Sequence, residues 1–104
     1  MSHVIVTAVF TPIPEGHDDL VGALRAGIPA VHAEDGCELY AIHDAADGTI
    51  VMIERWTSAE TLAAHAAGDA VVALNELIGP FLAQPVVVTT MTPLPAGDAD
   101  KGAL

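Results

Sequence analysis

The sequence predicts an α+β domain of the ferredoxin-like type, βαββαβ, with one four-stranded antiparallel sheet and its helices on a single face. Three observations carry this. The apolar patterns run strand, helix, two-strand hairpin, helix, strand along the chain. The 104 residues suit one domain that buries roughly 60–70% of its unfolded surface. The composition is 52% hydrophobic and only 16% charged, against about 25% charged in ordinary soluble domains. That surplus asks for a covered surface. In this topology the helices leave one sheet face bare, so a face-to-face homodimer through the open face is expected.

Val4 to Phe10 is β-branched and apolar, with no charge in either alternating set, and predicts a strand with both faces buried. Thr11-Pro12-Ile13-Pro14 stops it. Glu15-Gly16-His17-Asp18-Asp19 places acids on a first helical turn, where they complement the helix dipole, and Leu20, Leu24, Ile28 and Val31 form one stripe. Pro29 falls within that stripe and predicts a kink or an early end. Cys37 to His43 and Thr49 to Trp56 read as a hairpin around Asp44-Ala45-Ala46-Asp47-Gly48. Thr57-Ser58-Ala59-Glu60 reads as a capping box led by Thr57, opening a helix through about residue 67. Asp69 is placed to cap a second piece from Ala70 to Leu82, with Leu74, Leu77, Ile78 and Phe81 as its apolar stripe. Val86 to Thr92 reads as the last strand. The domain is expected over residues 1–94, followed by a flexible tail at 95–104 rich in Pro, Gly, Asp and Ala.

Fourteen acidic residues against three basic ones give a net charge of −11. Arg25, Arg55 and Lys101 make no basic patch, so nucleic acid and anionic membrane surfaces are not expected partners. Cys37 stands alone, which excludes an intrachain disulfide and a cysteine-rich zinc site. No apolar run approaches the ~18 residues of a membrane span. The start Met1-Ser2-His3-Val4 lacks a positive n-region, and a cytoplasmic protein is expected.

Pro14-Glu15-Gly16 after the first strand, Gly36-Cys37 followed by Tyr40, Glu54-Arg55-Trp56-Thr57-Ser58, and Leu62-Ala63-Ala64-His65 together carry a resemblance over residues 3 to 94. In these the chain resembles the antibiotic biosynthesis monooxygenase (ABM) family of dimeric α/β-barrel proteins. The resemblance implies that fold and one of several activities: cofactor-independent oxygenation of quinol- or anthrone-like phenols, haem degradation, or isomerisation of a small sugar-derived signal. The haem-degrading relatives carry a tryptophan where His65 stands, a haem-ligating histidine where Asn75 falls, and an asparagine on the first strand where this chain has Thr7, Ala8 and Val9. Those departures argue against haem. Quinol-type relatives follow the helix histidine with a Pro-His-Phe-like segment, where this chain has Asp69-Ala70-Val71.

The expected function is therefore a cofactor-independent monooxygenase acting on a small planar phenol, quinol or anthrone-like substrate with O2. The alternatives are a non-catalytic dimer binding a small aromatic or apolar ligand, and an isomerase on the same scaffold. His65 is the expected catalytic base, because an imidazole with an ordinary pKa of ~6.5 suits proton abstraction near neutral pH. Its bland alternative is a core-edge histidine bonded to a backbone carbonyl. Trp56 is expected to stack on a planar ring and Tyr40 to donate to a substrate oxygen; either is otherwise plain core. Glu54 and Arg55 are neighbours on a strand and point to opposite faces, so they form no acid–base unit, and Arg55 is expected to pair with a carboxylate, within the chain or across a dimer. His32 and His43 lie near acids, but no histidine pair has one-face metal spacing, so neither a metal nor a cofactor is expected. Cys37 has no basic neighbour to activate it.

Overall fold

A computed structural model describes residues 3–104. Met1 and Ser2, the first two residues of the expected domain and of the start read against a signal peptide, lie outside the described residues. The chain runs β1 (Val4–Phe10), α1 (His17–His32), β2 (Cys37–Asp44), β3 (Ile50–Trp56), α2 (Ala59–Ala66), α3 (Asp69–Ile78), a 3₁₀ turn at Gly79–Phe81, and β4 (Val87–Met91). The four strands form one antiparallel sheet in the order β2-β3-β1-β4, the ferredoxin-like arrangement the sequence predicts.

Strand alternation decides what each residue does. From β1, Val6, Ala8 and Phe10 point toward the helices, as do Ile50, Met52, Glu54 and Trp56 from β3. They meet Leu20, Leu24, Ile28 and Val31 of α1 and Leu74 and Ile78 of α3 in one core. On the other face Val9, Val51 and Ile53 are only half-buried because no helix lies on that side, while Ile5 on that face is buried. β1 is thus buried on one face and half-covered on the other within the chain, where the sequence suggested burial on both. Val87 and Met91 on β4 are exposed and continue this apolar face.

Several boundaries differ from expectation for identifiable reasons. Glu15 takes a left-handed conformation (φ 63°), so α1 starts at His17, with Asp18 and Asp19 in its first turn. Pro29 does not end α1: Ile28 and Val31 are held in the core on either side of it, and the helix continues to His32. The box opening α2 belongs to Ser58, not Thr57. Ser58 Oγ accepts the Thr61 N–H (3.2 Å), and Thr61 Oγ1 accepts the Ser58 N–H (3.2 Å). Asp69 is the first residue of α3 rather than its cap; Gly68 takes the cap position without a side-chain bond. Gly79 and Pro80 tighten the end of that helix into a 3₁₀ turn, and Phe81 leaves the helical stripe. Leu77 is largely exposed, so the buried stripe of α3 reduces to Leu74 and Ile78. Residues 95–104 contain neither helix nor strand, and their backbone closes on itself where the Ala96 N–H meets the Gly102 carbonyl (3.2 Å).

Gly36 joins α1 to β2 and brings α2 against that junction. Its φ is +83°, its carbonyl accepts the Thr57 N–H (2.9 Å), and a Cβ there would lie 2.5 Å from the Thr61 side chain. Gly48, in the hairpin turn, has φ +91° with open space around it. Gly36→Ala is therefore expected to cost about 2–3 kcal/mol, left-handed strain plus overpacking, whereas Gly48→Ala pays only the strain, about 1–2 kcal/mol. Urea unfolding midpoints of the two variants check the order.

Candidate functional site

His65, Tyr40, Trp56 and Glu54 converge, although they come from three elements. α2 carries His65 in its last turn; β2 and β3 carry the other three on the helix-facing side of the sheet. Trp56 is completely buried, and its ring lies 4.5 Å from that of His65 with a 31° tilt. Tyr40 meets both edge-on, at 6.3 Å from Trp56 and 5.5 Å from His65. The Trp56 indole Nε1–H donates to Glu54 Oε1 (3.0 Å), since a buried indole N–H needs an acceptor and Glu54 lies two residues back on the same face.

A cavity of about 400 Å³ opens between β1–β4 and α2–α3. Its walls are mainly apolar, with Val6, Ala8, Leu62, Val71 and Val88 among them, and Tyr40, Glu54 and His65 supply polar groups. Trp56 does not line it; the indole sits one layer behind, against His65 and Glu54. Two of the three predicted site residues thus face the cavity, and the third supports them. The Tyr40 hydroxyl has no hydrogen bond among the described residues, and its backbone carbonyl accepts from His32 Nε2 (3.0 Å).

Two groups of the candidate site escaped sequence reasoning. Glu34 Oε1 lies 2.7 Å from His65 Nδ1, across 31 residues of sequence. A neutral His65 therefore donates its Nδ1–H to the Glu34 carboxylate, leaving Nε2 as the basic nitrogen. The His65 ring is 7% exposed and Glu34 is 22% exposed, so the pair connects the interior to a second opening lined by Glu34, Asp35, Glu60 and His65. Gly68 lets α2 and α3 turn beside Glu34: a Cβ there would come within 3.1 Å of Glu34 Oε2. The other group is Glu54, only 5% exposed, whose carboxyl borders the cavity. The only available signal for it was its two-residue offset from Trp56.

Electrostatics follow from this burial. Desolvation raises the Glu54 carboxyl above its ordinary range, opposed by the Trp56 N–H and by His65. Burial, with Glu54 adding to it, pushes the Tyr40 phenol well above the usual tyrosine range, so it acts as a neutral donor. Burial likewise raises the Cys37 thiol, away from nucleophilic use. Arg55 points to the opposite sheet face, where its Nε lies 3.1 Å from Glu38 Oε1, an ion pair within the chain without an aligned N–H. His43 Nδ1 is bonded to the Val51 carbonyl (3.2 Å). Among the described residues, no three metal-type ligands converge and no helix is long and apolar enough to cross a membrane.

Residues 3–77 match the family model described as antibiotic biosynthesis monooxygenase. The Mycobacterium tuberculosis protein named "Putative monooxygenase Rv0793" is 35% identical over 99 residues, which cover 94% of this chain and 98% of that protein. Its solved structure superposes with a TM-score of 0.82 over 93% of this chain and all of that one. Two further solved structures share the fold. PA3566 of Pseudomonas aeruginosa is 24% identical (TM-score 0.78, covering 90% and 96%). A conserved protein of Methanosarcina mazei Go1 is 19% identical (TM-score 0.80, covering 88% and 92%).

The raised Glu54 carboxyl has a measurable consequence. Because the folded chain binds this proton more tightly than the unfolded chain, the group's stabilising contribution is complete below about pH 4.3. It is lost as pH rises through the folded value. Glu54→Gln removes that titration while keeping an amide oxygen for Trp56. Its stability relative to the parent is expected to improve between about pH 4 and pH 7, as measured by chemical denaturation across that range.

Proposed function

This chain belongs to the antibiotic biosynthesis monooxygenase family, and from that premise we propose that it is a cofactor-independent monooxygenase. Its substrate is a small planar phenol, quinol or anthrone-like molecule, oxidised by O2. The observation that carries this reading is His65 in the wall of an apolar cavity, its Nδ1 held from outside that cavity by the Glu34 carboxylate. A cavity of about 400 Å³ accommodates two or three fused rings, and its apolar walls suit such a ligand.

The chemistry asked of the protein is limited. His65 Nε2 takes the phenolic proton, with Glu34 holding the ring in the required tautomer and stabilising the imidazolium that forms. The resulting phenolate or enolate is electron-rich enough to reduce O2. For an anthrone the net change is CH2 + O2 → C=O + H2O, so the substrate supplies all four electrons. Tyr40 offers its hydroxyl to a substrate oxygen. Trp56 acts through the two groups it touches, fixing the His65 ring from one side and Glu54 by its indole N–H. Asn75 also lines the cavity, and its amide would not hold haem iron, which weighs against haem degradation.

The homodimer is part of the same proposal. Val9, Val51, Ile53, Val87 and Met91 lie part-covered or exposed on the helix-free face of the sheet, and a second copy laid face to face would remove them from water. Light scattering is expected to give twice the chain mass of 10.7 kDa; a clean monomer refutes the pairing.

An oxygen electrode with mass spectrometry, run against quinols and anthrones, tests the reaction. Oxygen uptake with a product one oxygen richer is expected, and His65→Ala should stay folded while losing at least about 100-fold in rate. Glu34→Gln should retain part of the activity and shift the pH profile, because an amide fixes the tautomer but does not stabilise the imidazolium. A mass-neutral product would instead mark an isomerase, and a ligand-induced rise in Tm without any product a binding protein.

A further inference from the structure

Glu54 is a carboxyl in the wrong place for a merely structural residue. It is 5% exposed, borders an apolar cavity, and among the described residues takes part in no ion pair. The basic residue next to it in sequence points to the other face of the sheet, committed to Glu38. The one hydrogen bond it makes among the described residues is from Trp56 Nε1 to Oε1, which leaves Oε2 without a donor. Burying such a group without a counter-charge is expensive, and a glutamine would satisfy the indole equally well.

We infer that Glu54 is a specificity-determining residue that accepts a hydrogen bond from a second hydroxyl of the substrate, so that the cavity selects uncharged dihydroxyarenes and rejects arene carboxylates. The inference rests on the cavity being the substrate site, as proposed above, and names the class that site takes. His65 Nε2 serves one hydroxyl as base while Glu54 Oε2 receives the other. A hydrogen bond to a charged acceptor in an apolar wall is the kind of contact that discriminates strongly, because a ligand lacking the donor leaves the carboxylate buried and unpaired. The same carboxylate repels an anionic ligand at short range. Beyond it, a chain of net charge −11 with no lysine or arginine lining the cavity disfavours the approach of anions.

Isothermal titration calorimetry under argon, where no turnover can occur, tests this with three probe sets: naphthalenediols, the two naphthols, and hydroxynaphthoic acids. The best diol is expected to bind about tenfold more tightly than either naphthol, and the acids to bind more weakly than the naphthols. In Glu54→Gln the diol preference should shrink, and in Glu54→Leu it should vanish while the penalty on the acids falls. The wild-type comparison stands even if the leucine variant does not fold. Equal affinity of diol and naphthol, tight binding of an acid, or a preference undiminished in Glu54→Gln overturns the inference. Diols that bind with the expected preference yet draw no oxygen on admission of air would refute the oxygenase reading alone. Oxygen uptake with a monohydroxy substrate bound as tightly as any diol would refute the Glu54 inference alone.

Discussion

The hydrogen bond from the Trp56 indole to Glu54 organises the rest of the site. A completely buried tryptophan brings a large apolar surface into the core, but its N–H must find an acceptor there. Two residues back on the same strand face, only Glu54 is in position. Satisfying the indole thus draws a carboxyl into the apolar layer between sheet and helices. The free side of the indole ring then receives His65, whose other partner is the Glu34 carboxylate. One aromatic ring therefore fixes a buried acid and a buried base against each other, in a strand that is hydrogen-bonded on both sides and has little room to move.

The two carboxylates around His65 differ because their surroundings differ. Glu34 follows the end of α1, is partly open to water, and takes the His65 Nδ1–H on its Oε1. Glu54 lies deep, and desolvation raises it. Separated environments of this kind place one carboxylate on the solvent side of His65 and the other on its cavity side. Keeping Glu54 there lowers stability at neutral pH, a local rule broken in the manner expected where binding rather than packing sets the residue.

Much of this was legible in the sequence, and what was not has a physical reason. β1 came out with its observed limits because Val4 to Phe10 is uninterrupted by polar residues and ends at Thr11-Pro12. His65 could be singled out because it is the one titratable residue in the Leu62-to-Ala67 stretch. Its partner could not, since the contact closes 31 residues and depends on Gly36 letting α2 approach the end of α1. The sequence places the capping box one residue early because both Thr57 and Ser58 are good caps; the cap is Ser58, with Thr61 three residues on able to return the bond. Strand alternation places Glu54 facing away from Arg55, as observed, but alternation alone does not say which face holds a cavity.

Alternation also ties the site to the other side of the sheet. Glu54 and Trp56 point inward while Ile53 and Arg55 point outward, and a one-residue slip of β3 would exchange the two sets. The register is held by β1 on one edge and β2 on the other, and it survives a bulge at Glu38, where Cys37 pairs with Trp56 but Leu39 pairs with Arg55. That bulge puts Glu38 next to Arg55 on the outer face, so the ion pair there reinforces the register that aims Glu54 inward. Part of the chain's exposed apolar surface, Val87 and Met91, lies on that same outer face, and the buried acid lies on the inner one. A second copy on the outer face, as proposed above, would therefore stiffen β3 from behind, and with it the placement of the Glu54 carboxyl in the cavity wall.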